Sequence, residues 1–157
     1  FQELKRKAGP TVRLLGRQSQ QQVESLMATC RAFVYAGVED FGIAPVEAMA
    51  SGAPVIGLAK GGLLDTVRCL RSGVKAPTGL LFQEQSVRSI AAAVRWFHER
   101  MLWKQIDADQ SRLWAERFRP EAFKRRFETV VQRAWSAHQQ SCDVAASDPG
   151  EMPELSV

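Results

Sequence analysis

The sequence predicts an α/β fold, namely a Rossmann-like parallel sheet with helices on both faces, followed by a helical C-terminal segment. Two observations support this prediction. In the first half, short apolar runs alternate with segments of helical spacing, as in parallel sheets whose strands are joined by helices. Ten of the eleven glycines lie between Gly9 and Gly79 and none lies between Leu80 and His138, so turns are concentrated in the first half and the second half is mostly helical.

Four short apolar runs bounded by turn residues are predicted as strands. They cover residues 12–15, 32–36, 55–58 and 79–82. The helical spacing of apolar residues predicts helices between these strands, over residues 20–30, 45–51 and 63–70. Because helices alternate with strands, we expect a sheet that is covered on both faces.

Helical spacing continues through the second half of the chain. One helix is expected after Ser86, whose hydroxyl suits an N-cap, a second over 107–118, and a third from Pro120, which suits a first helical position. The third helix carries an apolar stripe formed by Phe123, Phe127, Val130, Val131 and Ala134. Such a stripe is typical of a helix that packs on a core.

Length and charge favour one globular domain that binds an anion. The chain has 157 residues, 45% of them apolar, which suits a single domain, and no apolar run reaches the roughly 18 residues of a membrane span. Residues 139–157 hold four acidic side chains and no basic one, so residues 1–138 carry a net charge of +8, against +4 for the whole chain. We expect residues 1–138 to form the domain that binds an anionic group, and residues 139–157 to be a disordered acidic tail.

The three cysteines, Cys30, Cys69 and Cys142, are far apart and odd in number. This pattern fits neither a disulfide framework nor a zinc site. It favours a reducing, cytoplasmic compartment.

The segment that carries chemistry is residues 35–52, YAGVEDFGIAPVEAMASG, predicted as a strand end, a glycine-bearing loop and a helix. In open parallel sheets, ligands bind beyond the carboxyl ends of the strands. Gly42 permits a close approach of the backbone to a ligand, and Pro45 suits the first helical position. The unpaired N–H groups of that helix start favour an anion such as a diphosphate.

Two glutamates stand at this predicted helix start, eight residues apart. Glu47 is expected in the first turn of the helix, where its carboxylate is stabilised by the dipole and accepts hydrogen bonds from ribose hydroxyls. Glu39 is expected in the loop, where it would contact sugar hydroxyls or stabilise an oxocarbenium-like charge. The alternative is that Glu47 only stabilises its own helix and that Glu39 is a solvated loop residue.

This segment resembles the glutamate-x7-glutamate signature of the family 4 glycosyltransferases. Glu39 and Glu47 are the two glutamates of the signature, and the Gly61-Gly62 pair follows it further along the chain. Upstream, residues 12–17 resemble the family's strand that ends in Leu-Gly-Arg. Downstream, residues 78–85 and 117–123 resemble the branch that includes bacterial mannosyltransferases, so the resemblance covers roughly residues 4–135. The resemblance implies the C-terminal, donor-binding domain of a GT-B enzyme, which transfers a hexose from a nucleotide sugar with retention of anomeric configuration.

The same resemblance implies roles for individual residues. Glu39 would be the catalytic residue that contacts the donor sugar, and Glu47 would hold the ribose. The remaining donor-binding residues would offer backbone groups to sugar and phosphate (Phe41, Gly42, Ile43), lie near the nucleobase (Gly16, Arg17) or line the cleft beside the diphosphate (Gly61, Gly62). No metal and no cofactor is implied. The donor would be a substrate, either GDP-mannose, as this branch suggests, or alternatively glucose or another hexose carried by UDP or ADP.

The resemblance also implies partners beyond this sequence. A glycan or lipid-linked acceptor would bind to an N-terminal domain, and the Arg and Lys that hold the diphosphate would precede Phe1. We therefore expect the domain formed by residues 1–138 to be incomplete at its N-terminus and the 157-residue chain alone to be inactive. The basic, amphipathic helix after Pro120 would allow peripheral contact with the inner face of a membrane.

Two competing interpretations concern metal and nucleic acid. Asp107 and Asp109 form the Asp-x-Asp string that metal-dependent transferases use, but aspartate at a helix start is commonly a cap, which we expect here. A non-catalytic α/β module that binds a nucleotide or a nucleic acid would also explain the basic domain. Since the sequence has no recognition-helix motif and no basic surface interleaved with aromatic residues, we expect no nucleic-acid partner.

Overall fold

The helices and strands follow the predicted alternation. A computed structural model describes the backbone of residues 1–147 and the side chains of residues 1–141, and the chain divides into two compact units, Phe1–Ala115 and Glu116–Val157. The strands are β1 Phe33–Tyr35, β2 Val55–Leu58 and β3 Gly79–Phe82. The α-helices are α1 Gln2–Lys7, α2 Gln20–Thr29, α3 Ile43–Ala50, α4 Leu63–Thr66, α5 Val87–Glu99, α6 Ala108–Ala115 and α7 Pro120–Ser147, with short 3-10 helices at Leu70–Ser72, Leu102–Gln105 and Glu116–Phe118.

The sheet in the first unit is parallel, with the strand order β1-β2-β3. Phe33 pairs with Val55, and Val55 in turn pairs with Gly79. The central strand β2 is buried along its whole length. It therefore reads as a continuous apolar run, as expected for a strand covered on both faces.

Helices cover both faces of the sheet, which confirms the predicted fold class. On one face Val55 belongs to a buried cluster with Met49 of α3 and Leu63 of α4. On the other face Ile56 and Leu58 belong to a second cluster, with Phe97 of α5. Successive residues of β2 thus point to opposite sides of the sheet, each into its own core.

Two predicted elements of the first unit are absent or much shorter in the structure. Residues 12–15 form no strand, and Val12 and Leu15 are about half exposed; a strand requires a neighbour to share its ladder of hydrogen bonds, and this segment has none within the described residues. The helix predicted over residues 63–70 ends at Thr66, because the chain turns extended at Val67 and pairs at Cys69 with Gly79.

In the second unit, α7 begins at Pro120, as predicted. Its apolar stripe is exposed, and Phe123 stacks on Phe127 with ring centroids 5.8 Å apart. The helix continues to Ser147, although the sequence predicted disorder from residue 139, because residues 139–147 contain good helix formers and no glycine or proline. The predicted tail beyond them, residues 148–157, lies outside the described residues.

Candidate functional site

The loop after β1 leads into α3 at the carboxyl edge of the sheet. All three strands run in the same direction, so their last residues lie along one edge. Gly42 is the N-cap of α3, and its φ of 84° lies in the left-handed region that favours glycine. A Cβ at Gly42 would lie 3.0 Å from the buried side chain of Leu63, so both conformation and space favour glycine at this turn.

Helix α3 begins two residues earlier than predicted. It starts at Ile43, so Pro45 is its third residue instead of its first. The first amide bonded within the helix is that of Val46, whose N–H donates to the Gly42 carbonyl at 3.3 Å. The amides of Ile43 and Ala44 precede it and have no partner in the helix.

The earlier helix start also changes the position of Glu47. The sequence predicted this carboxylate in the first turn, whereas the first turn of α3 holds no acidic residue. Glu47 is the fifth residue of the helix and lies one turn beyond Ile43 on the same face. The helix dipole acts mainly within the first turn, so it stabilises the Glu47 carboxylate less than the prediction assumed.

A cleft lies between this loop and the start of α3. It is lined by Tyr35, Glu39, Asp40, Phe41, Gly42, Ile43 and Ala44. Four of the predicted site residues are therefore brought together here, and the structure adds Tyr35, Asp40 and Ala44 to them. The structure thus places an acidic side chain, aromatic surface and unpaired amides around one space.

Glu39 is held by two hydrogen bonds. The hydroxyl of Tyr35 donates to Glu39 Oε1 at 2.5 Å, and the N–H of Gly62 donates to the Glu39 carbonyl at 2.7 Å. The bond to Glu39 raises the pKa of the Tyr35 phenol above its ordinary value, and desolvation adds to the effect. Sequence reasoning missed Tyr35, and the available signal was weak: it is the chain's single tyrosine, at a strand end four residues before Glu39.

Gly61 and Gly62 pack directly on the backbone of the Glu39 loop. A Cβ at Gly61 would lie 2.3 Å from the Glu39 carbonyl oxygen, and one at Gly62 would lie 2.5 Å from Phe41 Cα. The sequence predicted that this pair would line the cleft beside a diphosphate. The geometry gives a second explanation for the two glycines. Any side chain at either position would collide with the loop after β1, so the glycines allow the loops after β1 and β2 to approach closely.

The loop after β3 reaches the same region. The side-chain amide of Gln85 donates to the carbonyl of Ala36 at 2.8 Å. This contact spans 49 residues of sequence and was not predicted. It connects the end of β3 to the residue that follows β1.

Gly16 and Arg17 are not among the residues that line the cleft. They belong to the irregular segment between α1 and α2, and both are exposed. Gly16 has a φ of 67°, in the left-handed region. Their predicted place near a nucleobase stays a prediction.

Comparison with known proteins identifies the family. A family model described as "Glycosyl transferases group 1" matches residues 1–111. The chain belongs to this glycosyltransferase family. No curated protein sequence matches the chain significantly.

Two solved structures resemble this glycosyltransferase chain in fold. Sucrose-phosphate synthase from Thermosynechococcus elongatus superposes with a TM-score of 0.66 and 25% identity, covering 85% of this chain and 33% of that protein. The catalytic domain of starch synthase IV from Arabidopsis thaliana, bound to ADP and acarbose, superposes with a TM-score of 0.61 and 20% identity, over 85% of this chain and 28% of that domain. The chain thus has the fold of one part of a GT-B glycosyltransferase and spans about a third of these structures.

Asp107 and Asp109 of the glycosyltransferase chain make local contacts. Asp107 Oδ1 accepts from the backbone N–H groups of Asp109 and Gln110, at 2.8 and 3.1 Å, and this confirms the predicted helix cap. Asp109 pairs with Arg112 at 2.6 Å. Within residues 1–147, no helix is long and apolar enough to cross a membrane.

Proposed function

We propose that this chain is the donor-binding half of a retaining glycosyltransferase, which moves a hexose from a nucleotide sugar to an acceptor held by a second domain. The observation that carries the proposal is the cleft of a group 1 glycosyltransferase domain that combines Glu39 with the start of α3. One wall of that cleft is anionic, and the other presents amides that lack helical partners. The hydroxyls of a nucleotide sugar would donate hydrogen bonds to the anionic wall, and its diphosphate would accept hydrogen bonds from the amides.

In this proposal the start of α3 receives the diphosphate. The N–H groups of Ile43 and Ala44 are donors without helical partners, and the positive end of the helix dipole adds to their attraction for an anion. Bond cleavage at the anomeric carbon places charge on the leaving diphosphate. Donors already fixed by the fold stabilise that charge without having to reorganise.

Glu39 contacts the sugar in this scheme. Its carboxylate accepts hydrogen bonds from sugar hydroxyls or stabilises the positive charge that develops at the anomeric carbon. Attack from the face that the diphosphate leaves would retain the anomeric configuration without a protein nucleophile. Glu47, one turn along α3, would accept hydrogen bonds from the ribose hydroxyls.

The sequence resemblance is the basis for proposing a specific donor and acceptor. We propose a family 4 enzyme of the mannosyltransferase branch, with GDP-mannose as donor and a glycan or lipid-linked acceptor, which would place it in polysaccharide biosynthesis. The net charge of +8 on residues 1–138 suits a donor that carries a diphosphate. We further propose that the enzyme works without a metal, in the cytoplasm, with the basic side of α7 at the inner face of a membrane.

The acceptor would contact a domain that this chain does not contain. We therefore propose that the 157-residue chain binds the donor only weakly and has negligible transferase activity. Hydrolysis or transfer of a radiolabelled nucleotide sugar by the purified chain would refute this point while leaving donor binding intact.

Isothermal titration calorimetry of the chain with GDP-mannose, UDP-glucose and ADP-glucose tests donor binding. We expect one of these donors to bind weakly. Glu39→Ala and Glu47→Ala should each lower its affinity by about tenfold, as expected for the loss of a hydrogen bond to a charged group. Glu99→Ala is the matched control, because this exposed glutamate lies at the far end of α5, toward the opposite edge of the sheet. Equal affinity in the two site variants and the control would contradict the assignment.

The same titrations separate this proposal from a nucleic-acid-binding module. A module drawn to nucleic acid by its basic charge would bind DNA or RNA with an affinity that falls steeply with salt. It would show no response to nucleotide sugars.

A further inference from the structure

The contact between Tyr35 and Glu39 closes the loop that forms one wall of the cleft. Tyr35 is the last residue of β1, and its hydroxyl donates to Glu39 Oε1. A hydrogen bond to an ionised carboxylate is stronger than one between neutral groups. The bond therefore links the rigid sheet to a side chain that is otherwise exposed.

The ring of Tyr35 is itself held in place. It stacks on Phe33, two residues earlier on the same side of β1, with ring centroids 6.2 Å apart and an interplanar angle of 14°. A Cβ at Gly37 would lie 3.0 Å from the Tyr35 hydroxyl and 3.1 Å from its Cε1. Because Gly37 does not have a positive φ, the space taken by the tyrosine ring explains this glycine better than backbone conformation does.

Glu39 is thus held at both ends. Its carbonyl accepts from Gly62, and its carboxylate accepts from Tyr35 through Oε1. One carboxylate oxygen of Glu39 is therefore bonded by the protein, and no side chain among the described residues donates to the other.

We propose that Tyr35 is a positioning residue for Glu39, whose phenol fixes one carboxylate oxygen so that the other accepts a hydrogen bond from the donor sugar. This inference rests on the proposed function, because it takes Glu39 to contact the sugar. Tyr35 also lines the cleft, but in this scheme it acts on the donor through Glu39 and not by direct contact. A phenol with the ordinary pKa of 10.0 is protonated in the neutral range, and the bond to Glu39 raises that pKa further, so the Tyr35 hydroxyl is a donor there.

A spectroscopic experiment tests the pairing without any ligand. Since the chain contains a single tyrosine, the absorbance of tyrosinate during an alkaline titration reports on Tyr35 alone. We expect its pKa to lie above the ordinary value of 10.0 and to return toward that value in Glu39→Ala, with Glu99→Ala unchanged. A titration that is identical in Glu39→Ala and the wild-type chain would overturn the pairing.

A binding experiment tests the positioning role. Tyr35→Phe keeps the ring and removes only the hydroxyl. We expect it to weaken the nucleotide sugar that binds, among GDP-mannose, UDP-glucose and ADP-glucose, by about tenfold, and to leave binding of the matching nucleoside diphosphate unchanged. Addition of Tyr35→Phe to Glu39→Ala should cause no further loss, because the phenol acts through the carboxylate.

The outcomes separate the two proposals. An equal loss of nucleoside diphosphate and nucleotide sugar in Tyr35→Phe would mean a general effect on the fold and would overturn the positioning role. Additive losses in the double variant would also overturn it. If the chain bound no nucleotide sugar, that result would refute the proposed function. It would also refute the positioning role, even if the tyrosine titration shows the pairing.

Discussion

The backbone N–H of Gly62 donates to the carbonyl of Glu39 at 2.7 Å and joins the loop after β2 to the loop after β1. A Cβ at Gly62 would lie 2.5 Å from both the Cα and the carbonyl oxygen of Phe41. Only a residue without a side chain permits this separation. The distance between the two loops, and with it the backbone position of Glu39, therefore depends on Gly62.

Gly62→Ala should destabilise the chain by about 1–3 kcal/mol, as for other overpacked sites. The backbone of Gly62 has ordinary helical angles, so the cost comes from space alone. Urea denaturation followed by tryptophan fluorescence measures it. Gly9→Ala is the control, because nothing lies within 4 Å of a Cβ there; equal midpoints for the two variants would contradict the prediction.

Leu63 and Leu64 offer a matched pair on α4. Leu63 is fully buried beneath Gly42, whereas Leu64 is 60% exposed. We expect Leu63→Ala to lower the free energy of unfolding by about 2–5 kcal/mol, because it leaves a cavity in the core, and Leu64→Ala to change it by less than about 0.5 kcal/mol. Chemical denaturation of both variants checks this, and similar losses at the two positions would be inconsistent with the core described above.

Asp107→Ala should cost about 0.5–2 kcal/mol, because it removes the N-cap of α6. Asp109→Ala should cost less, since its partner Arg112 is half exposed and surface ion pairs contribute about 0–1 kcal/mol. Denaturation midpoints compare the two variants.

We also expect these midpoints to be unchanged by added MnCl₂ or MgCl₂. An ion that binds the folded chain would raise the midpoint in proportion to the logarithm of its concentration. A rise that disappears in Asp107→Ala would indicate a metal site in place of a cap.

The stability of the chain should decline at high pH through Tyr35. Its hydrogen bond to Glu39 raises the pKa of the phenol in the folded chain above the ordinary value of 10.0. The stabilisation is therefore fully present below pH 10 and is lost as the pH rises through the folded pKa. Urea midpoints from pH 8 to 11 should fall more steeply for the wild-type chain than for Tyr35→Phe, and parallel curves would show that this bond contributes nothing.

Sequence alone predicted β2 and β3 to the residue, because each is a continuous apolar run between turn residues. The starts of α5 and α7 were equally readable, from the Ser86 cap and from Pro120. The same reasoning failed at residues 12–15. Apolar character indicates a tendency to form a strand, but a strand also needs a partner that is distant in sequence.

Within the site, the sequence predicted that Glu39 lies in the loop and that Gly42 forms the turn. It did not predict the contacts that hold these residues in place. The start of α3 at Ile43 depends on a glycine in the left-handed region, and such a cap has no side chain to recognise. The bond from Tyr35 to Glu39 closes an irregular loop, for which no periodic spacing exists. The contact from Gln85 to Ala36 joins segments 49 residues apart, beyond the reach of local pattern.

The Gln85 contact has a consequence for how a ligand would arrive. The carbonyl of Ala36 is fixed by Gln85, the middle of the loop by Tyr35 and Gly62, and its end by the first turn of α3. The conformational entropy of this loop, about 1–2 kcal/mol per residue, was therefore lost when the chain folded. A ligand that enters the cleft does not have to order the loop, so its rate of association should be set by diffusion and loss of water.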